Sequence, residues 1–167
     1  LISPEFRVIP AQGEEILPEG ISPEQAVLLL SRQKADEVRQ REFPGGGAVP
    51  ETIVAADTVV AIDGEILGKP HSAEDAAEML RLLSGREHSV YTGVTVISGE
   101  ECVSFAERTA VEFFPLTEQE IASYVATGEP MDKAGAYGIQ GRGALLVRRI
   151  DGDYYNVMGL PVGELNQ

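Results

Sequence analysis

Asp57 and Lys69 flank one short hairpin, and their types and placement are the clearest sign of chemistry in the chain. The stretch Ile53–Pro70 reads IVAADTVVAIDGEILGKP. Asp57 interrupts a run of small and branched apolar residues that has the character of a buried strand. A carboxylate there is unfavourable unless it is paired, hydrogen-bonded or bound to a metal. Such an acid can serve as a general base on water or hold a divalent cation, and the neighbouring Thr58 can donate to a phosphate or another ligand group. The plainer alternative, a strand-end aspartate tied to a loop, stays open from these residues alone. Lys69, held between Gly68 and Pro70, can set a point charge on a phosphate. Its alternative is an ordinary solvated lysine.

A second segment, Gly135–Gly143 (GAYGIQGRG), carries four glycines in nine residues. It can bring backbone N–H groups against an anion, and the Gln140 amide can read the edge of a base. No G-K-[ST] follows, so it is not a Walker loop, and no strand–helix unit surrounds it as a dinucleotide fingerprint requires. Taken alone it reads as a turn that lets strands cross. Lys34 would pass for a solvated helix residue, and Glu14-Glu15 for an acidic loop. His71 and His88 lack metal-ligand spacing and no Cys/His cluster exists, so no zinc site is expected. No nucleophile elbow is present, and Cys102 on a strand is expected to be packed and not reactive.

These residues need elements to hold them. Residues 5–10 (EFRVIP) alternate weakly as a strand. Ser22-Pro23-Glu24 begins a helix that runs to about Arg41, with Ala26, Leu29, Leu30, Ala35 and Val38 as its apolar stripe. Asp63-Gly64 turns the central hairpin. Ser72 caps a second helix, Ala73–Leu83. Strands follow at His88–Ser98 and Cys102–Phe114. Thr117 opens a third helix with Glu120 completing a capping box. Ala144–Ile150 reads as a strand, and Tyr154–Met158 as its hairpin partner across Asp151-Gly152. Helices interspersed with hairpins predict an α/β fold with a mixed sheet.

The net charge of −14 argues against a nucleic-acid polymer or an anionic membrane as partner, yet leaves room for a nucleotide neutralised by local lysines and a cation. No apolar run reaches the length of a membrane span. A single cysteine rules out an intramolecular disulfide and fits a reducing, cytoplasmic setting.

Read together, the segments resemble the Maf-type nucleoside triphosphate pyrophosphatases. The resemblance is carried by Ala55–Pro70 (AADTVVAIDGEILGKP), Ala76–His88 (AAEMLRLLSGREH), Thr127–Val147 (TGEPMDKAGAYGIQGRGALLV) and Gly152–Pro161 (GDYYNVMGLP). Weaker pieces are Ser31–Val38 and EFRVIP with Glu14-Glu15. They cover nearly the whole chain in order, as one domain over residues 1–167. The resemblance implies an ITPase-like elongated mixed β-sheet flanked by helices, with two lobes and a central cleft. It implies hydrolysis of a nucleoside triphosphate to the monophosphate and pyrophosphate, in a cytoplasmic enzyme that often forms homodimers. Asp57 aligns with the proton acceptor, and Thr58 and Gln140 with positions linked to base selection. Lys34 and Lys69 align with substrate-contacting lysines. Glu15, or Glu14 by a one-residue slip, aligns with an acid near a divalent metal, Mg²⁺ or Mn²⁺, that Asp57 would share. Lys69 with Gln140 in its IQG context resembles the branch acting on dTTP, UTP and modified uridine nucleotides. A purine-directed (ITP/XTP) pyrophosphatase and a non-catalytic nucleotide-binding regulator of septum formation are the alternatives. The family's Ser-x-Ser-Pro-Arg-Arg loop, whose arginines hold the triphosphate, is expected upstream of Leu1, since Ser3-Pro4 is followed by Glu5-Phe6. The helix after Pro161 is expected to be clipped, lacking its end.

Overall fold

The computed structural model describes residues 5–13 and 15–167. Ser3-Pro4 and the alternative metal ligand Glu14 lie outside the described residues. The first helix, α1, spans Pro23–Glu42 and starts where expected. The Ser22 hydroxyl accepts from the Gln25 amide while the Gln25 side chain reaches back to the Ser22 amide, and Pro23 supplies a preset φ at the first position.

The sheet is built from β1 (Val49–Ile62), β2 (Glu65–Leu67), β3 (Glu87–Gly99), β4 (Glu101–Phe113) and β5 (Val147–Asp151), in the order β2-β1-β3-β4-β5. Every pairing among the described residues is antiparallel, which corrects the expected mixed sheet. The cause lies in the connections. Asp63 and Gly64, with φ of 52° and 84°, close β1 onto β2 by a turn with both central residues left-handed. Gly99-Glu100 closes β3 onto β4. Helix α2 (Ala73–Leu83) returns the chain so that β3 runs against β1 on the side away from β2. Its cap is Ser72, as expected, and α3 (Glu118–Val125) carries the expected Thr117–Glu120 capping box.

Alternation along the strands splits the core in two. On one face Ile53 and Ile97 pack with Ala35 and Val38 of α1. On the other, Val60, Val90, Val111 and Phe113 pack with Leu80, Leu83, Ile121 and Tyr124 from α2 and α3. The α1 face depends on Gly93. A Cβ there would lie 2.2 Å from the Val27 carbonyl oxygen, so only glycine lets α1 settle on the sheet. Gly93 is also the cross-strand partner of Asp57, which puts that carboxylate on the face that α1 covers.

Three further expectations are corrected. Residues 5–10 form no strand: Phe6 and Val8 are 80% and 79% exposed, and the segment is held by Arg7 on Glu51 and by Arg41 Nη2 donating to the Pro10 carbonyl. Residues Gly141–Leu145 form a 3₁₀ turn, so β5 begins only at Val147. Tyr154–Met158 does not pair back as a strand. Tyr154–Val157 is a short helix, α4, because Asp153 caps the Tyr155 amide and buried Asn156 donates from Nδ2 to the Val90 carbonyl and Thr109 Oγ1. The last helix, α5, is Val162–Leu165. No helix among the described residues is long and apolar enough to cross a membrane.

Candidate active site

Among the described residues β2 pairs only with Val60–Ile62, so the outer edge of β1 next to Asp57 and Thr58 is left open by that strand. A cleft of about 320 Å³ wraps around this edge. Its lining brings together Lys34 from α1, Asp57 and Thr58 from β1, Lys69 from just beyond β2 and Gln140 from the glycine-dense segment. Five of the six residues singled out in the sequence thus share one concavity. The sixth, Glu15, sits beside it: its Oε1 lies 2.8 Å from Lys34 Nζ.

Lys34 is the hub. It follows Leu30 by one turn on the stripe that faces the sheet, so its side chain is carried inward, and Nζ donates to Asp57 Oδ1 as well as to Glu15. Asp57 is only 8% exposed. Burial pushes its carboxyl up from the ordinary range, while the Lys34 hydrogen bond opposes the rise without cancelling it. Burial pulls the Lys34 ammonium down, but its bonds to Asp57 and Glu15 outweigh that, and the net direction is up. The result is a carboxylate more basic than a free aspartate, oriented by an ammonium.

Lys69 is exposed at the cleft mouth, and its turn is fastened to the glycine-dense segment by the Gly135 amide donating to the Gly68 carbonyl at 3.0 Å. Gln140 is exposed and faces the cleft. Glu129 holds the segment that carries it: its carboxylate accepts from the Arg142 amide at 3.1 Å and the Gly143 amide at 3.3 Å. Glu129 escaped the sequence reading, although its place in the GEP turn ahead of the glycines was visible. So did Asp132 and Lys133, which line the cleft as an ion pair with N···O of 2.5 Å. Their adjacency to GAYGIQG was the available signal.

Tyr137 also lines the cleft. Its hydroxyl meets His88 Nε2 at 2.7 Å, and its ring packs edge-on against Phe113 and His88. Burial drives His88 down to about 4, so the imidazole is neutral and structural.

Among the described residues no three His, Cys, Asp or Glu side chains converge as a metal cage. Glu15 and Asp57 do converge on a single point of positive charge, the Lys34 ammonium. Two carboxylates with hard oxygen donors, completed by phosphate oxygens and water, are a donor set that suits Mg²⁺ or Mn²⁺.

An antiparallel sheet in an α/β fold whose open edge presents a buried carboxylate and several lysines to one cleft defines a site suited to a phosphate-bearing ligand. The family model for Maf-like proteins matches residues 1–167, and the chain belongs to that family. It is 50% identical over 159 residues to a dTTP/UTP pyrophosphatase of Bacillus velezensis, spanning 95% of this chain and 81% of the relative. It is 52% identical over 157 residues to a dTTP/UTP pyrophosphatase of a Geobacillus species, covering 94% and 81%. A third such protein, from Agathobacter rectalis, is 50% identical over 180 aligned residues, covering 99% and 86%.

Proposed function

We propose that this chain hydrolyses dTTP and UTP, with modified pyrimidine nucleotides, to the monophosphate and pyrophosphate. The observation that carries the reading is the Glu15–Lys34–Asp57 cluster at one end of a cleft that also holds Lys69 and Gln140, in a chain half identical to dTTP/UTP pyrophosphatases. An ITPase-like arrangement of two lobes about this cleft is part of the same reading, and the cleft's place at the open edge of β1 supports it.

A water oxygen bonds to the α-phosphorus and its proton passes to Asp57, whose raised basicity suits that role. The anhydride P–O bond breaks, and pyrophosphate leaves with the electron pair. Lys34 and Lys69 offset the charge that develops on the phosphate oxygens. Glu15 and Asp57 would hold a divalent cation, which supplies further neutralisation of the triphosphate when bound. Gln140 offers both an amide donor and an acceptor to a pyrimidine edge.

Pyrophosphate release measured over dTTP, UTP, CTP, ITP and XTP with Mg²⁺ or Mn²⁺ tests the proposal. Turnover of dTTP and UTP, abolished by EDTA, is the expected result. Preference for ITP or XTP establishes the purine-directed alternative in its place. Tight nucleotide binding with no turnover establishes a regulator.

A further inference from the structure

Thr58 faces the cleft from one side and a buried polar relay from the other. Its Oγ1 lies 2.8 Å from Thr92 Oγ1, and Thr92 Oγ1 lies 3.0 Å from the Asn156 carbonyl oxygen. Thr92 is wholly buried, and so is Asn156. Two oxygens at either distance need a hydrogen between them. A carbonyl has none to give, so the single Thr92 hydrogen is committed to Asn156. The hydrogen between the two threonines must then come from Thr58. The Asn156 carbonyl is itself pinned, because it also accepts from the Gly159 amide at 2.9 Å, and its side chain is anchored to Val90 and Thr109.

With its hydrogen turned inward, Thr58 shows only lone pairs to the cleft. Access to them depends on Gly159, which has φ of 104° and whose missing Cβ would sit 3.5 Å from Thr58 Oγ1. A side chain there would roof the hydroxyl; glycine leaves it open.

We propose that the Thr92–Asn156 relay makes Thr58 an obligate hydrogen-bond acceptor toward the cleft, and that the site thereby selects pyrimidines with a ring N–H, uracil and thymine, over cytosine. The ring nitrogen that carries a hydrogen in uracil and thymine is a bare acceptor in cytosine. Facing Thr58, cytosine would set lone pair against lone pair, with one polar group left unpaired in a partly desolvated site. Thr92 is a positioning residue: it touches no substrate and acts by fixing a proton on its neighbour. This inference rests on the pyrophosphatase reading and sharpens its substrate class.

The test is the ratio of kcat/KM for UTP to that for CTP in wild type, Thr92→Val and Thr92→Ser. Each ratio is taken on one protein sample, so a change in the folded fraction cancels. Wild type is expected to prefer UTP. Thr92→Val frees the Thr58 hydroxyl to turn and donate, and the ratio should fall by about tenfold or more. Thr92→Ser keeps the hydroxyl and should hold the ratio within about twofold of wild type. If Thr92→Val does not fold, Thr92→Ala removes the same hydroxyl with less crowding and is read in the same way. A folded Thr92→Val or Thr92→Ala protein with the wild-type ratio overturns the relay. A wild type that takes CTP as well as UTP also overturns it, and leaves the pyrophosphatase reading intact. Absence of pyrophosphate release from every triphosphate overturns both.

Discussion

The ammonium of Lys34 donates to the carboxylate of Asp57 across the gap between α1 and β1, and the same ammonium holds Glu15. This contact orients the proposed base and partly neutralises a carboxylate that burial makes basic. Replacing Asp57 with Asn keeps the shape and removes the proton acceptor. The expected loss is about 10²–10⁴-fold in kcat, with the far-UV spectrum and melting midpoint close to wild type. A variant that turns over dTTP at the wild-type rate would remove Asp57 from the mechanism.

Lys34→Met takes away the ammonium while keeping a long side chain. Asp57 then stays buried without its nearest cation, so its carboxyl rises further and the acid limb of the kcat/KM profile moves to higher pH. Stability should fall by about 2 kcal/mol, less than for a fully buried pair, because Lys34 is partly exposed. Urea unfolding and a pH–rate profile measure the two effects.

His88 makes stability depend on acid. Its Nδ1 has no hydrogen-bond partner among the described residues, and burial lowers the folded imidazole from 6.5 to about 4. Between those values the unfolded chain binds a proton that the folded chain refuses. Stability contributed by the neutral imidazole is therefore complete above pH 6.5 and declines as pH falls toward 4, by roughly 3 kcal/mol in total. His88→Gln still reaches Tyr137 but cannot titrate. Denaturant unfolding at pH 7 and pH 4.5 should differ less for this variant than for wild type; an unchanged difference would show that other groups dominate.

Glu129 touches no part of the proposed reaction, yet it holds the turn that presents Gln140. Glu129→Ala leaves two backbone amides without their carboxylate. We expect a drop of about tenfold in kcat/KM for dTTP, mainly through KM, and a stability loss of about 1–2 kcal/mol. An unchanged KM would mean that Gln140 keeps its place by other contacts.

Gly93→Ala forces a methyl group into the Val27 carbonyl, and backbone cannot swing aside as a side chain can. The expected cost is about 3 kcal/mol, read from denaturant unfolding, with activity reduced because α1 carries Lys34. Wild-type stability would show that α1 can shift outward freely.

Local signals were legible because their physics is local. Ser22, Ser72 and Thr117 each cap a helix through an amide three residues on, and Asp63-Gly64 turns a hairpin whatever surrounds it. An aspartate inside an apolar strand with a lysine beyond its turn is a signal of the same local kind, and both residues line the cleft. Tyr154–Met158 shows where local reading fails: its hairpin signal is overridden by Asn156, whose partners on β3 and β4 lie far along the chain.

By itself, then, the chain's order of residues determined the helix starts, the central hairpin and the residue types able to handle a triphosphate. Which of them meet was decided by the tertiary structure. Spacing along α1 does not say that Lys34 reaches Asp57; the close seat of the helix over Gly93 does. The direction of the Thr58 hydrogen is likewise set by Thr92 and Asn156, from other elements, because a proton goes to whichever acceptor packing brings within reach. At Asp57 and Thr58, neighbouring residues on one strand, the sequence named the groups, and the packing of α1 and α4 on opposite faces of the sheet assigned one to an ammonium and the other to a buried relay.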